Sequence, residues 1–369
     1  MKYYIIAGEA SGDLHASNLM KALKSLDTNA TFRCWGGEKM EAVGGTLAEH
    51  YKNTAFMGFI EVIKNLRTIL GFIKKCKADI LHTQPDVIIL VDYPGFNLRI
   101  AKWAHQQGFK IVYYITPQVW AWHQSRVHDL GKYTDKLLTI LPFEKAFFQK
   151  HGYDATFVGH PLLDAIAQYQ PNPEFAAQYQ KGENILALLP GSRKQEIHYI
   201  LPQMLRACRH TDATILLAAA PSLQDEVYQT ILAAEGMTDK VILIKNQTYD
   251  ILSVAKNALV GSGTATLETA LFKVPQIVCY KGNPISIFIA KKLVNIPFIS
   301  LVNLIENKEI VKELIQDALN PENIQLELQN LEHNRAQILE NYDQLIDHLG
   351  SEGASMKAAH EIYNIISKV

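Results

Sequence analysis

Short apolar segments alternate with amphipathic segments along most of the chain. Residues 86–91, 110–115 and 136–141 are mostly apolar and are bounded by turn-forming residues, a pattern typical of strands buried on both faces of a sheet. Between them, residues 14–26 and 98–107 place apolar side chains at helical spacing. Strand and helix therefore alternate in the order that predicts a doubly wound parallel sheet of the α/β class.

The alternation restarts after a polar interruption near the middle of the 369-residue chain. Residues 169–183 include two prolines and few aliphatic side chains, which is typical of a connector between compact units. Apolar segments then recur from residue 184, so we predict a second Rossmann-like domain. The predicted boundaries are 1–168 for the first domain, 184–345 for the second, and 346–369 for a C-terminal helix that packs back on the first domain or on a partner chain.

Composition and charge exclude several classes of function. Lys plus Arg total 36 against 37 Asp plus Glu, so long-range electrostatic capture of nucleic acid is not expected. The four cysteines are scattered, which favours free thiols in the cytoplasm over a disulfide framework or a zinc site. The sequence shows neither the pattern of a signal peptide nor an apolar run of about 18 residues that could span a bilayer.

Candidate chemistry lies in the turns that follow strands, because two facing α/β domains leave a cleft at the carboxyl ends of their strands. The first such turn, GEASGD at residues 8–13, offers two glycines and a helix N-terminus to an anion. Ser11 or Asp13 could simply cap the helix. Glu9 serves no capping need, so we take it as a candidate catalytic carboxylate.

A second carboxylate follows the most apolar segment of the first domain. Asp92 comes directly after five aliphatic positions and would emerge at the carboxyl end of a buried strand. Partial desolvation would raise its pKa, which makes it the first candidate for a general base. The alternative is a hydrogen bond to a neighbouring loop. Asp86, at the other end of the same strand, is expected on its position to be structural.

Two further turns in the second domain suit a nucleoside diphosphate. The segment LPGSR at residues 189–193 places Arg193 beside a glycine turn, where a guanidinium can bind a departing diphosphate. The segment GSGTATLE at residues 261–268 is predicted to bind phosphate through backbone N–H groups, and it lacks the lysine of a Walker A loop. Glu268 could accept hydrogen bonds from ribose hydroxyls. A surface ion pair for Arg193 and a helix-dipole role for Glu268 are the alternatives. No metal-ligand motif appears, so we expect neither a metal nor a cofactor.

These segments, taken in order, resemble the lipid-A-disaccharide synthase family. The resemblance extends from residue 8 to about residue 316 and is carried by blocks that occur in register. They are GEASGD at 8–13, PDV at 85–87, Asp92 with FN at 96–97, PQVWAW at 117–122, LPFEK at 141–145, GHP at 159–161, LPGSR at 189–193, SGTA at 262–265 with LE at 267–268, and NL at 303–304.

The resemblance implies a GT-B fold and a defined reaction. A hexosyltransferase of this family transfers 2,3-diacylglucosamine from UDP-2,3-diacylglucosamine to the 6-hydroxyl of 2,3-diacylglucosamine 1-phosphate, giving the β-1,6 lipid A disaccharide and UDP. By the same carry-over, Glu9, Asp86, Arg193 and Asn303 occupy positions that the family needs for activity. Many relatives have Asp where this chain has Gly95, so the duty of general base passes here to Asp92 or Glu9.

The candidate residues divide between the two substrates that the resemblance implies. For UDP-sugar binding they are Gly191, Ser192, Arg193, Ser262, Gly263, Thr264, Glu268 and Asn303. For the acceptor and its lipid chains they are Ser11, Asn97, Trp120, Trp122, Phe59, Val62, Ile63, Leu66 and Arg67. The two tryptophans more often fill a core than bind a ligand.

Residues 56–75 form a helix-like segment with more apolar positions than one core-facing stripe requires. Its lysines and Arg67 could meet anionic headgroups, which suits acylated substrates and predicts peripheral association with the cytoplasmic side of the inner membrane. The alternative is an ordinary core helix with a basic solvent face. Residues 285–298 are a weaker second candidate. The long C-terminal helices are compatible with a homodimer in which two chains exchange them.

The predicted mechanism is a single inverting displacement in which Asp92, or else Glu9, accepts the proton of the attacking hydroxyl. Arg193 and the turn at residues 262–264 would stabilise the departing UDP. Two alternatives remain at this point: a UDP-sugar 2-epimerase with the same nucleotide cradle, and a non-catalytic nucleotide-sugar-binding or membrane-scaffold protein.

Overall fold

The structure is a computed structural model, and it describes residues 1–54, 66–121, 124–179, 184–221, 223–283 and 296–367. Two compact units divide the chain. Unit 1 contains residues 1–167 and 349–369, and unit 2 contains residues 168–348. The C-terminal segment therefore belongs with the N-terminal part of the chain.

Unit 1 is built on a seven-stranded sheet whose strands run in the order β3-β2-β1-β4-β5-β6-β7, and every pairing is parallel. The strands are short, as expected where both faces are covered by helices. Their bounds are β1 Lys2–Ala7, β2 Thr31–Gly36, β3 Gly45–His50, β4 Val87–Val91, β5 Ile111–Tyr114, β6 Lys136–Thr139 and β7 Thr156–Phe157.

The described helices of unit 1 cover both faces of this sheet. They are α1 Ala10–Leu26, α2 Glu38–Ala42, α3 Tyr51–Thr54, α4 Leu66–Thr83, α5 Pro94–Gln106, α6 Arg126–Tyr133, α7 Glu144–Lys150, α8 Pro161–Ala167 and, after unit 2, α17 Ala354–Ser367. Successive side chains of a strand point to opposite faces, so Tyr3 and Ile5 pack with α1 and α17 while Tyr4 and Ile6 pack with α4 and α5.

The C-terminal helix α17 packs against α1 and α8 of unit 1 in the same chain. Its N-terminus is fixed by Asp164, whose carboxylate accepts the backbone N–H groups of Gly353, Ala354 and Ser355. Three N–H groups that would otherwise lack partners at the start of the helix are satisfied by one side chain. The described part of this segment therefore contacts helices of unit 1 in the same chain.

Unit 2 has a six-stranded parallel sheet in the order β10-β9-β8-β11-β12-β13. The strands are β8 Ile185–Leu189, β9 Thr214–Ala219, β10 Val241–Lys245, β11 Asn257–Gly261, β12 Gln276–Tyr280 and β13 Lys312–Ile315. The helices are α9 Pro173–Tyr179, α10 Lys194–Ala207, α11 Asp225–Ala234, α12 Thr248–Val254, α13 Thr264–Leu271, α14 Leu301–Glu306, α15 Pro321–His333 and α16 Arg335–Leu349, with a short 3₁₀ helix at Gln316–Ala318.

The polar stretch at residues 169–183 is part of unit 2 rather than a bare connector. It contains α9, and Phe175 of that helix is buried in the core of unit 2 with Ile185 and Ile251. One buried aromatic side chain among polar neighbours is enough to attach the segment to the second sheet.

Each sheet reverses its strand order once, and those points locate the sites. The order changes direction between β1 and β4 in unit 1 and between β8 and β11 in unit 2. Crevices that bind ligands in open α/β sheets form at the carboxyl ends of such neighbouring strands. The turns after β1, β4, β8 and β11 are the four turns selected from the sequence. None of the helices within the described ranges is long and apolar enough to cross a bilayer.

Candidate active site

The turns that follow β1 and β4 are packed directly on each other. A methyl group at Gly8 would lie 2.3 Å from Cγ of Tyr93, so the aromatic ring occupies the space that only a glycine leaves. The Tyr93 ring is also stacked on Phe96, with 5.5 Å between the ring centroids. This contact brings Glu9 and Asp92, which are next to Gly8 and Tyr93 in the sequence, to the same switch point.

The backbone at the carboxyl ends of β4 and β5 is strained. Asp92, Tyr93 and Ile115 have φ of 44°, 50° and 61°, in the left-handed region that side chains disfavour. Ile115 is β-branched, for which this region is a genuine outlier. Strain of this kind persists where surrounding contacts enforce it, and it concentrates at functional sites. Two neighbouring strands thus end in conformations that need a structural explanation.

Asp92 has the electrostatics expected of a general base. Its side chain keeps a partly exposed surface, but close packing removes most of its hydration. This desolvation, with a smaller contribution from the negative charge of Glu9, raises the pKa of Asp92 to about 7, while a backbone hydrogen bond at Tyr93 opposes the rise. A carboxylate with such a pKa is a competent proton acceptor near neutral pH.

Glu9 is the residue immediately before α1, and its side chain does not cap that helix. Ser11 is exposed in the first turn, where an incoming ligand can reach it. Asp13, in contrast, is buried, and its carboxylate accepts the N–H groups of Gly37, Lys39 and Met40. Asp13 therefore fixes the start of α2, whereas the negative charge of Glu9 is close enough to Asp92 to raise its pKa.

Asp86 is at the opposite end of β4. Its carboxylate accepts the backbone N–H of Lys2 at 2.7 Å, and its own N–H bonds the carbonyl of Lys2. At about 3.3 Å per residue, Asp86 is on the order of 20 Å from Asp92. The catalytic role carried over for Asp86 thus disagrees with its position, which instead fixes the pairing of β1 with β4.

The predicted acceptor contact of Asn97 is not supported. Its side chain is 0% exposed, and its amide donates to the carbonyls of Asp92 at 2.7 Å and Val91 at 3.3 Å. A buried amide beneath the turn cannot touch a ligand. It ties the strained turn to the end of β4 instead.

Trp120 has one polar contact and one aromatic contact. Its indole N–H donates to Glu144 at 3.3 Å, and its ring is perpendicular to Phe143 with centroids 5.0 Å apart. The Glu144 carboxylate also accepts the N–H of Leu141, so it joins the loops that follow β5 and β6. Burial raises the pKa of Glu144 to about 7. Trp120 is half-buried, while Trp122 is outside the described residues.

The two glycine turns of unit 2 also meet. A methyl group at Gly261 would lie 2.9 Å from the carbonyl oxygen of Pro190, so the ends of β8 and β11 approach as backbones. Gly191 and Gly263 have φ of 114° and 148°, which only glycine adopts readily. Apart from its chain neighbours, no atom of the described residues is within 4 Å of the place a Gly263 methyl group would occupy, so this turn is open within the described part of the chain.

Arg193 stands at the N-terminus of α10 with its side chain 59% exposed. Its guanidinium is 2.9 Å from Glu196, the ion pair weighed as the alternative to a ligand role. An exposed pair of this kind is worth at most about 1 kcal/mol, so a diphosphate can compete for the guanidinium. The exposed Arg193 remains a candidate for binding the leaving group.

Glu268 and Ser262 flank the second turn. Tyr249 donates to one carboxylate oxygen of Glu268 at 2.9 Å, and burial raises the pKa of Glu268. The Ser262 hydroxyl donates to the carbonyl of Ile299 at 3.1 Å, so it braces the turn. The backbone of residues 262–264 and the partly exposed Glu268 are what this half presents to a ligand.

The predicted UDP contact of Asn303 is not supported. Its side chain is fully buried, donates to Val311 and Glu313, and accepts the N–H groups of Ile310 and Val311. All four hydrogen bonds of the amide are satisfied inside unit 2. Asn303 therefore fixes the crossover that leads to β13.

The membrane candidate is only partly described. Phe59, Val62 and Ile63 are outside the described residues, as is the side chain of Leu66. Along α4, Ile73, Cys76 and Ile80 are buried against the sheet while Arg67 is exposed and Leu70 is 53% exposed. This part of the segment has the pattern of a core helix with a basic outer face.

The sequence did not predict three residues that contact and support the candidate site residues. Tyr93, Tyr249 and Glu144 act through contacts with Gly8, Glu268 and Trp120. Glu144 was recoverable in principle, since an acidic residue begins the helix after a strand in LPFEK. The two tyrosines carry no local signal. Within the described ranges, no three His, Cys, Asp or Glu side chains are grouped to hold a metal ion.

Comparison with known proteins identifies the family of the chain. A family model described as lipid-A-disaccharide synthetase matches residues 3–365. A protein of Syntrophus aciditrophicus named lipid-A-disaccharide synthase is 39% identical over 374 aligned residues, covering 99% of this chain and 97% of the relative. These matches span both units.

Solved structures confirm the fold at low sequence identity. A putative UDP-N-acetylglucosamine 2-epimerase from Listeria monocytogenes superposes with a TM-score of 0.67 at 14% identity, covering 100% of this chain and 97% of the other. The glycotransferase of kitacinnamycin gives 0.66 at 13%, covering 98% of each chain. The predicted GT-B class is confirmed, and the family match shows that the chain belongs to the lipid-A-disaccharide synthetase family.

Proposed function

We propose that this protein is an inverting glycosyltransferase that joins two diacylglucosamine units into the β-1,6 disaccharide of lipid A. The donor is UDP-2,3-diacylglucosamine and the acceptor is 2,3-diacylglucosamine 1-phosphate. Family membership supports the reaction, and the desolvated Asp92 carboxylate beside Glu9 is the observation that supports its machinery. The relatives' names support the substrate class.

In the proposed reaction Asp92 accepts the proton of the acceptor 6-hydroxyl as that oxygen attacks the anomeric carbon. The bond from that carbon to UDP breaks, and UDP leaves with the electron pair. Arg193 and the N–H groups of the turn at residues 262–264 offset the charge gathering on the diphosphate. Burial, with a smaller contribution from the negative charge of Glu9, keeps the pKa of Asp92 high. Glu268 accepts hydrogen bonds from the ribose hydroxyls.

Mass spectrometry tests the reaction directly. The purified protein is incubated with both acylated monosaccharides, and we expect equimolar disaccharide 1-phosphate and UDP. A reaction that consumes the donor without joining the sugars would contradict the proposal.

The epimerase alternative is favoured only by the fold, since the Listeria structure shares 14% identity. An epimerase would convert a UDP-sugar without any acceptor, so the donor alone is the matched control. A non-catalytic binding protein would release no UDP when the acceptor is added. Both alternatives therefore predict outcomes different from disaccharide formation.

We further propose that the enzyme works peripherally at the cytoplasmic side of the inner membrane, because both substrates carry acyl chains. On α4, Arg67, Leu70 and Lys74 are exposed together. Charge near an anionic surface contributes about 1 kcal/mol per basic side chain, so reversing Arg67 and Lys74 to Glu should weaken binding to phosphatidylglycerol vesicles at least 10-fold. Reversing Lys21, exposed on α1, is the control. Equal binding of all three proteins would remove α4 from the membrane contact.

A further inference from the structure

The carbonyl of Asp92 is held by two buried side chains at once. The Tyr113 hydroxyl donates to it at 2.6 Å, and the Asn97 amide donates to it at 2.7 Å. Both residues have no exposed surface. This carbonyl belongs to the peptide that links Asp92 and Tyr93, the two consecutive residues in the left-handed region.

Tyr113 and Tyr114 project to opposite faces of the sheet. Tyr113 packs with Trp35, Phe96 and the helices of one face, whereas Tyr114 belongs to the core on the α1 side. Burial raises the pKa of Tyr113 well above its usual value, so its hydroxyl stays protonated and remains a donor. The Tyr114 hydroxyl is buried on that other side, where Asp164 and Ser355 rather than Asp92 influence its pKa.

The two donors explain how a strained turn persists beside the chemistry. Left-handed backbone at non-glycine residues is retained only where other contacts enforce it. The ring of Tyr93 packs against Gly8 and holds one end of the turn. The hydrogen bonds from Tyr113 and Asn97 hold the carbonyl of Asp92. Small displacements of a catalytic carboxylate cost large factors in rate.

We propose that Tyr113 is a positioning residue: its hydroxyl orients the Asp92–Tyr93 peptide and so sets where the Asp92 carboxylate points. The inference deepens the proposed function and rests on it. Tyr113 touches no substrate in this scheme and acts through the backbone of Asp92. Removing its hydroxyl leaves the carbonyl with its Asn97 donor, so the fold survives while the turn loosens.

Tyr113→Phe tests this role, with Tyr114→Phe as the matched control on the next residue of β5. We expect Tyr113→Phe to lower kcat about 10-fold with KM changed less than about twofold, because the defect lies in the reacting geometry. The acid limb of the kcat profile should move to lower pH as the loosened turn lets water reach Asp92. Tyr114→Phe should keep both kcat and the profile.

A second measurement separates this inference from the reaction itself. Carbon-13 labelling of Asp side chains lets NMR follow the titration of Asp92 in all three proteins, without substrate. The positioning role would be overturned if Tyr113→Phe changed neither the Asp92 titration nor kcat. It would also be overturned if Tyr113→Phe and Tyr114→Phe lost the same amount of kcat. A wild-type protein that makes no disaccharide, yet shows the shifted titration in Tyr113→Phe, would overturn the proposed function and leave the positioning role standing.

Discussion

The two switch points are built from the same strand–turn–helix unit, yet they offer opposite chemistry. In unit 1 the turns enclose Asp92, strip its hydration and hold it in disfavoured backbone. In unit 2 the turns are open, with clear space at Gly263 and a guanidinium at Arg193 that is 59% exposed. One site is closed around a carboxylate, and the other is open to solvent.

The difference matches what the proposed reaction would require of each half. A general base must carry a pKa near the working pH, and desolvation is how a carboxylate acquires one. A diphosphate is large, charged and hydrated, so its site needs reachable N–H groups and a cation that exchanges partners. Burying Arg193 in a rigid pair would block that exchange, and hydrating Asp92 would lower its pKa.

Among the changes considered, replacing Asp92 by Asn should lower kcat the most. The amide cannot accept a proton, and general-base catalysis contributes about 10²–10⁴ in rate, so kcat should fall by that factor. Disaccharide formation in saturating substrates measures it. Asp129→Asn, at an exposed position of α6, should leave turnover unchanged. Near-normal turnover in Asp92→Asn would transfer the role to Glu9.

The pH dependence of the native enzyme carries the same signature. Turnover should rise with pH through about 7, because Asp92 must lose its proton to act.

The free energy of unfolding should change with pH in the opposite direction. The folded chain binds the Asp92 proton more tightly than the unfolded chain, so this contribution to the free energy of unfolding is present below about pH 4 and is lost as pH rises through about 7. Asp92→Asn removes that loss, and its Tm at pH 8 should equal or exceed that of the native protein.

Arg193→Ala breaks the open half. Loss of a donor that stabilises developing charge costs about 10²-fold in rate, so kcat should fall by that order. The control is Arg209→Ala, since Arg209 is similarly exposed on unit 2 and pairs with Glu235 away from the glycine turns. Equal activity of the two variants would place the leaving-group stabilisation elsewhere.

The features that could be predicted from the sequence are those that depend on local residue patterns. Apolar runs predict the strands β4, β5 and β6, and a carboxylate directly after such a run predicts the position of Asp92. Glycine turns before helices predict which end of the unit 2 sheet is the candidate for binding phosphate. These features need only the residues that form them.

The unpredictable part depends on partners far along the chain. Asn97 and Asn303 stand in blocks that suggest ligand contact, yet both side chains are buried. Asn97 donates to the carbonyl of Asp92, and Asn303 accepts the N–H of Ile310. Tyr113 is one of two adjacent tyrosines in a buried strand, and only the pairing of β4 with β5 shows which hydroxyl meets Asp92. Sequence spacing does not encode which face of a central strand a distant turn will cover.

Gly8→Ala tests whether the closed half depends on its packing. The added methyl group would lie 2.3 Å from the Tyr93 ring, so the ring and the Asp92 turn must move. We expect roughly a 10-fold loss of kcat and destabilisation of about 1–3 kcal/mol, as for other overpacked sites. Gly95→Ala is the control, because its added methyl group would meet no described residue within 4 Å beyond its own chain neighbours. If both variants behaved alike, the fit between Gly8 and Tyr93 would be irrelevant to the site.

Glu196→Gln is the mildest change and sharpens the account of the open half. The Glu196 carboxylate is 2.9 Å from the Arg193 guanidinium and is folded over Gly191, so it competes with an incoming diphosphate. Neutralising it should tighten UDP binding about two- to fivefold, since exposed ion pairs contribute at most about 1 kcal/mol. Isothermal titration calorimetry measures the change. Glu226→Gln, in the first turn of α11, is the matched control and should leave the Kd for UDP unaltered. Weaker binding in Glu196→Gln would mean that the carboxylate orients Arg193 toward the ligand instead of competing for it.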